Sequence, residues 1–228
     1  TYGRKHRKYH HKKMIECRKK GIKLLTIFDS DWINKREIVK SIIKHNLGLT
    51  NNKIFARKCI IKQLSYKEIK DFEEDNHIQG SKAAKYYFGL YHNNDLIMTA
   101  SIGKSRFNKS FEYELLRMTS KQKYHVIGGV SKLLSHIRKH IKTSFITYCD
   151  NRYGEGNGYL KAGLIKNGES SPNYFYFKKN ESLVLYSRNK FMKHKIPNVN
   201  KSLSEYENML LQGYDRIWDC GNSIFIKP

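Results

Sequence analysis

The stretch that decides the fold is Phe111–His140, which reads FEYELLRMTSKQKYHVIGGVSKLLSHIRKH. Its first part places Tyr113, Leu115 and Met118 in a short run that suits a central strand. Residues 119–124 are polar and typical of a loop. Two glycines and an amphipathic segment follow. The stretch therefore predicts a strand, a glycine turn and a helix, in that order.

The predicted helix follows Gly128 and Gly129 and has one apolar face, because its apolar residues recur at helical spacing. These residues are Val130, Leu133, Leu134, Ile137 and Ile141. Two glycines allow a tight turn and leave N–H groups at the helix start unpaired, which suits a phosphate. Alternatively, the glycines only turn the chain. Neither a P-loop motif nor a dinucleotide fingerprint is present.

Three segments, YELLRM, VIGGVSKLL and ITYCDNRYGEGNGYLKAGLIK, together resemble the core of a GNAT acyltransferase domain of the kind found in phage-encoded proteins. The resemblance covers roughly residues 53–190 and implies an α/β (α+β) fold, with a mixed, mostly antiparallel sheet flanked by helices. It also implies acetyl-CoA as cofactor, with its pyrophosphate at the glycine turn and its thiol end near the corner at 159–164. The implied cofactor-binding residues are Val126, Ile127, Gly128, Gly129, Val130, Ser131, Lys132 and Tyr159. Unlike the usual [QR]-x-x-G-x-[GA] loop, residues 124–130 have no Gln or Arg at their head.

The charge of the chain predicts a polyanionic partner. Lys and Arg number 44 against 20 Asp and Glu, a formal net charge of +24, and the basic residues are clustered. Nucleic acid, with double-stranded DNA first, is the expected partner. The alternative is that an AT-rich genome inflates Lys through its codons. The candidate nucleic-acid-binding residues are Arg4, Lys5, Arg7, Lys8, Lys12, Lys13, Lys104, Arg106, Lys109, Arg188, Lys190, Lys193 and Lys195.

The N-terminal residues predict a helix, a buried strand at 22–28 and a second helix capped by Asp31. Their order resembles the C-terminal tail of a very-short-patch-repair-like (EDxHD-type) nuclease domain of phage homing endonucleases. That resemblance implies a remnant of a catalytic site at His10, Asp29 and Asp31, with Mg²⁺ weakly held by Asp29 and Asp31. On the residues alone, the alternative is a basic helix packed on a strand, with no metal. The predicted domains are residues 1–50, the nuclease-like tail, and 51–228, the acyltransferase-like domain.

Further elements follow from local patterns. Residues 54–64 predict one strand, Ser65 and Glu68 a capping box, and residues 86–91 and 96–102 a hairpin. Residues 173–177 predict a strand paired with 183–186, and residues 214–218 and 223–226 a closing hairpin.

The cysteines and the hydropathy bear on the cellular setting. The four cysteines contain no C-x-x-C pair, so a structural zinc site is not expected. The expected setting is reducing and intracellular, here the cytoplasm of a phage host. No stretch approaches the ~20 apolar residues of a membrane span. The first residue is not Met, which predicts a fragment or a processed chain.

These observations favour a DNA-binding protein of phage homing-endonuclease type, in which the acyltransferase-like domain recognises nucleic acid. Endonuclease activity would then need an upstream segment. The alternative is a working N-acyltransferase that uses acetyl-CoA on a basic protein or nucleic-acid substrate. Its candidate general acids and bases are Glu112, Glu114, Tyr148 and Tyr159. A third possibility is a basic, virion-associated structural protein.

Overall fold

The computed structural model describes residues 6–178, 181 and 184–227. The helices are α1 (Tyr9–Lys19), α2 (Asp29–Asn34), α3 (Arg36–Asn46), α4 (Tyr66–Asn76), α5 (Gly129–His140), α6 (Asn157–Lys161) and α7 (Glu205–Leu211). The first six strands are β1 (Asn52–Phe55), β2 (Ile60–Gln63), β3 (Tyr86–His92), β4 (Asp95–Lys104), β5 (Tyr113–Ser120) and β6 (Tyr124–Ile127). The others are β7 (Phe145–Asp150), β8 (Ile165–Glu169), β9 (Tyr174–Lys178), β10 (Tyr186–Ser187), β11 (Tyr214–Trp218) and β12 (Asn222–Lys227).

The chain forms two compact units. The sheet unit consists of residues 35–150, 154–169 and the described residues from 223 onward. The aromatic unit consists of the described residues up to 34, residues 151–153 and those described within 170–222. These boundaries differ from the division at residue 50 that the sequence predicts.

The sheet unit is built on seven strands in the order β2-β3-β4-β5-β7-β12-β8. The pairs β2–β3, β3–β4, β4–β5 and β8–β12 are antiparallel, whereas β5 and β7 are parallel. α5 buries Leu133, Leu134 and Ile137 in the main core, together with Phe88 of β3. α4 buries Ile69 in a cluster with Tyr87, and neighbouring strand residues point to opposite faces of a sheet. The prediction of a mixed, mostly antiparallel sheet flanked by helices is therefore confirmed.

Local chemistry explains several elements that the sequence predicts correctly. The hairpin of β3 and β4 turns through Asn93 and Asn94, whose φ angles of 49° and 62° fit a type I′ turn. The side chain of Ser65 accepts a hydrogen bond from the backbone N–H of Glu68, and the Glu68 carboxylate accepts one from the backbone N–H of Ser65. This capping box starts α4 as predicted.

Two strand predictions are wrong in the first part of the chain. Residues 22–28 form no strand. The Thr26 N–H donates a hydrogen bond to the Arg152 carbonyl, but this bond is not part of a pairing between strands. The predicted strand at 54–64 is broken by a 3-10 turn at Ala56–Lys58. The Lys132 ammonium donates to the carbonyls of Ala56 and Cys59, which stabilises this break.

The predicted closing hairpin is also wrong. β11 pairs with β9 in a three-stranded sheet, and β12 pairs with β8 in the seven-stranded sheet. The aromatic unit gathers its core around that three-stranded sheet, where Tyr174, Tyr176 and Met209 are buried. Of the predicted strand 183–186, Leu183 lies outside the described residues, and β10 begins at Tyr186.

A buried polar group stands on the α4 face of the sheet. The Ser101 hydroxyl of β4 donates to the Glu73 carboxylate of α4 at 2.5 Å, and Glu73 is fully buried. Arg117 of β5, opposite Ser101, donates to the carbonyls of Gly80, Gln79 and Leu116. Burial raises the pKa of Glu73 above its usual value, although Ser101 and Arg117 oppose the rise.

The raised pKa of Glu73 predicts a pH-dependent gain in stability for Glu73→Gln. A carboxyl group whose pKa is raised in the folded state stabilises the fold fully at pH values below its unfolded-state pKa. This contribution to stability is lost as the pH rises through the folded-state pKa. Gln keeps a hydrogen-bond acceptor for Ser101 and does not ionise. The free energy of unfolding of the variant, relative to the parent, should therefore be higher at pH 7 than at pH 4 in urea titrations. An equal difference at both pH values would contradict this assignment.

Candidate functional site

The parallel strands β5 and β7 pair over only part of their length. Their register runs from Tyr113 opposite Phe145 to Leu115 opposite Thr147 and ends there, although β5 continues to Ser120 and β7 to Asp150. Beyond that point, β5 is paired only with β4 among the described strands. The side of β5 that faces away from β4 is thus an open strand edge at residues 116–120, with backbone groups that a ligand can pair with.

A β-bulge lies where the two strands part. The register of β4 against β5 passes from Ser101–Arg117 to Ile102–Leu115, so Leu116 has no partner residue on β4. Gly103 makes room for it, because a β-carbon at Gly103 would lie 2.8 Å from the Leu116 side chain. A bulge re-aims the backbone and leaves the extra residue unpaired. The backbone at Leu116 can therefore present an N–H to a ligand at the open edge of β5.

The glycine turn lies after β6, which pairs in parallel with β1 through Val126–Ile54 and Ile127–Phe55. Gly128 is the N-cap of α5 with a φ angle of 76°, in the left-handed region that favours glycine. A β-carbon there would meet only Ala56, at 3.8 Å. The first N–H groups of α5 have no partner within the helix, and Ser131 is exposed in this first turn.

Two predicted cofactor residues have structural contacts of their own. Gly129 is buried, and a β-carbon there would lie 2.6 Å from the Met98 sulfur and 2.8 Å from Val126. The Lys132 ammonium is held by the carbonyls of Ala56 and Cys59. Packing thus leaves no room for a side chain at Gly129, and the Lys132 ammonium is already engaged by two backbone carbonyls. The cofactor assignment of the turn stays a prediction.

Two tyrosines of the sheet unit belong to this region. Tyr159 of α6 is hydrogen-bonded to Thr147, and the Thr147 hydroxyl donates to the Leu115 carbonyl at 3.0 Å, where β5 and β7 stop pairing. Burial raises the pKa of Tyr159 well above its usual value, with a smaller contribution from Cys149. Burial also raises the pKa of Tyr148. Both phenols carry a proton at neutral pH, as tyrosine does at its usual pKa, and are candidate proton donors.

The carboxylates near the open edge differ in their contacts. Glu114 is buried and forms an ion pair with Arg106 at 2.5 Å, supported by the Arg106 backbone N–H. Glu112 is exposed. The guanidinium of Arg106, a candidate nucleic-acid contact, holds Glu114. Neither the bulge at Leu116 nor the Thr147 contact has a sequence signal, since both arise from strand register.

The proposed nuclease remnant at Asp29 and Asp31 finds no support as a metal site in the structure. Asp29 and Asp31 lie in the first turn of α2 rather than at a strand end, and Asp31 does not cap a helix from Trp32. The Asp31 carboxylate accepts hydrogen bonds from Arg152 at 2.9 Å and Tyr153 at 2.5 Å, and from the Phe28 N–H. Among the described residues, no group of three or more His, Cys, Asp and Glu side chains could hold a metal ion.

His10 lies in the same unit and packs edge-on against Phe28, with ring centroids 5.8 Å apart. Asp31 thus stabilises the local fold through Arg152 and Tyr153, and the expected Mg²⁺ site has no support.

The basic candidates fall in both units. Lys104, Arg106 and Lys109 belong to the sheet unit, and the described others to the aromatic unit. Arg7 stacks on Trp218, Arg188 on Tyr174, and Lys190 on Tyr186. Arg4 and Lys5 lie outside the described residues. A nucleic-acid partner stays a prediction. No helix in the described part of the chain has the length and apolar character that a membrane crossing requires.

The chain matches no protein-family model and no curated protein. It is similar to a solved structure described as a streptothricin acetyltransferase from Bacillus anthracis str. Ames in complex with acetyl coenzyme A (13% identity, TM-score 0.37, 72% of this chain and 68% of the other). A second is an aminoglycoside 6′-acetyltransferase type Ii (10% identity, TM-score 0.41, 74% of this chain and 96% of the other). A third is an N-acetyltransferase from Staphylococcus aureus Mu50 (17% identity, TM-score 0.36, 74% of this chain and 96% of the other).

The predicted function as a DNA-binding protein of homing-endonuclease type is wrong. The three similar structures are acetyltransferases. Of the residues expected to form a nuclease remnant, Asp31 accepts hydrogen bonds from Arg152 and Tyr153, and His10 packs against Phe28.

We predict that Gly129→Ala lowers the free energy of unfolding by about 1–3 kcal/mol, the usual cost of overpacking a core. The new methyl group would overlap the Met98 sulfur. Urea denaturation of the apo-protein measures the effect. Gly158→Ala is the matched control, because a β-carbon at this helical glycine would make an ordinary contact of 3.5 Å with Val130. Equal stability of Gly129→Ala and the parent would show that Gly129 is not needed for packing.

Proposed function

We propose that this chain is an N-acyltransferase that transfers the acetyl group of acetyl-CoA to an amine. The observation that carries the proposal is the early end of the β5–β7 pairing, at Leu115 and Thr147, in the unit that also contains the glycine turn of α5. Acetyl-CoA combines a pyrophosphate with an extended arm that contains amides and ends in a thioester. An open strand edge suits the arm, and a helix N-terminus suits the pyrophosphate.

The residues at the turn fit a pyrophosphate. Gly128 leaves open space where a side chain would stand, since only Ala56 lies within 4 Å of the β-carbon position. α5 has no acidic residue in its first turn, so the partial positive charge of its N-terminus is not compensated. The exposed Ser131 adds a hydroxyl at the same end. Both the space and the electrostatics therefore favour a doubly charged anion.

Bound acetyl-CoA would supply an acyl group already activated as a thioester. In the transfer, the C–N bond forms while the C–S bond breaks, the amine loses a proton and the leaving sulfur gains one. Tyr159 and Tyr148 are the candidates to give that proton, because a phenol carries its proton at neutral pH. The N–H of Leu116, the bulged residue that has no partner residue on β4, can donate to the thioester oxygen as negative charge develops on it. Glu112, which is exposed, is the carboxylate that can accept the proton of the amine, because Glu114 is held by Arg106.

A thermal-shift experiment tests the cofactor. Acetyl-CoA at ~100 times its dissociation constant should stabilise the protein by ~2.7 kcal/mol. Ser131→Asp should abolish most of this gain, because a carboxylate in the first turn of α5 repels the pyrophosphate. The same carboxylate interacts favourably with the helix dipole, so the apo-protein should keep its melting temperature.

Ser135→Asp is the matched control, because Ser135 is exposed one turn further along α5. This variant should respond to acetyl-CoA as the parent does. If millimolar acetyl-CoA leaves the melting temperature of the parent unchanged, the proposed function is wrong.

A further inference from the structure

A basic cleft lies in the sheet unit between α3 and the residues that precede β1 and β6. Its cavity volume is about 250 Å³, just below the ~300–1,000 Å³ of most small-molecule sites. The lysines Lys40, Lys44 and Lys123 line it, together with Ser41, Thr50 and the acid Glu37. The size and the lining suit a small, highly charged ligand.

The positive charge of this cleft is only partly compensated. Lys40 is paired with Glu37 at 2.8 Å. Lys44 and Lys123 make no ion pair or side-chain hydrogen bond with the described residues. The hydrogen bond from Lys40 lowers the pKa of Glu37, and the charges of Lys123 and Lys44 lower it further, so all three ammonium groups act on the same small space. The cleft thus holds three cations against one anion.

The backbone of Lys123 adds an independent observation. Its φ angle of 68° lies in the left-handed region, which a lysine rarely adopts. Neighbouring contacts hold it there: the Gln122 N–H donates to the Asn76 side chain, and the Gln122 amide to the Asp75 carbonyl. An uncommon backbone conformation at a charged residue in a cleft is the kind of strain that functional sites retain.

The cleft is distinct from the glycine turn of α5. Lys123 directly precedes β6 and Gly128 directly follows it. Four extended residues span about 13 Å. A single pyrophosphate at the turn does not also fill the cleft.

We propose that this cleft is a binding site for a phosphate monoester, a dianion whose oxygens accept hydrogen bonds from Lys44, Lys123 and the hydroxyls of Ser41 and Thr50. A monoester carries up to two negative charges and three terminal oxygens, which matches the surplus of two positive charges and the several donors in the cleft. The proposal does not depend on acetyl-transfer activity. The bound phosphate is either the 3′-phosphate of acetyl-CoA or the phosphate of a separate phosphorylated molecule.

Site-resolved NMR titration of the full chain with inorganic phosphate tests the proposal. The amide signals of Gln122 and Lys123 should shift along one saturable curve, separately from any response of residues 129–131. Lys44→Gln and Lys123→Asn should each weaken the phosphate affinity at the cleft roughly fivefold, about the worth of one exposed charge contact. Asn readily adopts the left-handed conformation, so Lys123→Asn should fold as stably as the parent.

Two controls separate a specific site from the general positive charge. Lys139→Gln removes one exposed charge from α5, outside the cleft, and should leave the affinity unchanged. Glu37→Gln removes the acid of the cleft and should strengthen binding. If phosphate does not shift Gln122 and Lys123, or if Lys139→Gln weakens binding as much as Lys44→Gln does, the proposal is wrong.

The source of the phosphate follows from a second titration. If Lys44→Gln weakens the binding of acetyl-CoA but not of 3′-dephospho-acetyl-CoA, the cleft holds the 3′-phosphate of the cofactor. If Lys44→Gln weakens inorganic phosphate binding alone, the cleft serves a separate phosphorylated molecule. Both results support the phosphate site. If acetyl-CoA does not bind at all, the proposed function is wrong, but the result for inorganic phosphate still stands.

Discussion

The constraint on which the candidate site depends is the divergence of two parallel strands. β5 and β7 share only three residue pairs, from Tyr113–Phe145 to Leu115–Thr147. Beyond Leu115, β5 has a partner strand on one side alone, and the backbone groups that point to the other side need another source of hydrogen bonds. A ligand with amides along an extended arm, as we propose, would supply them. The divergence therefore links the sheet topology directly to a class of ligand.

Contacts on both sides fix the position at which the two strands part. Gly103 accepts the bulged Leu116, and Arg117 donates to the Leu116 carbonyl and to the segment after α4. Thr147 bridges to Leu115 and also meets Tyr159. These contacts fix the position of the bulge relative to a protonated phenol. The chemistry proposed for the site needs that fixed relation, because a proton donor must lie within reach of the leaving group.

The sequence predicts those parts of the fold that depend on local patterns. The Asn93–Asn94 turn, the Ser65 capping box and the apolar face of α5 follow from spacing and residue type alone, and all three are present. Long-range pairing is different: β12 joins β8 although β11 is its neighbour in sequence. The bulge at Leu116 and the anchoring of Asp31 by Arg152 likewise depend on residues far apart in the chain. The cofactor assignment of the glycine turn stays a prediction. The partners of Asp31 could not be predicted from the sequence, because Arg152 and Tyr153 lie more than a hundred residues further along the chain.

Amide hydrogen exchange resolved by residue tests the central claim most directly. If acetyl-CoA pairs with the open edge of β5, amides within residues 116–119 that face away from β4 should exchange at least tenfold more slowly in its presence, since a new hydrogen bond of about 1.4 kcal/mol corresponds to that factor. The amides of β3 should be unaffected except for any uniform change that follows global stabilisation. Unchanged exchange at residues 116–119 under saturating acetyl-CoA would contradict the claim that this opening is the ligand site.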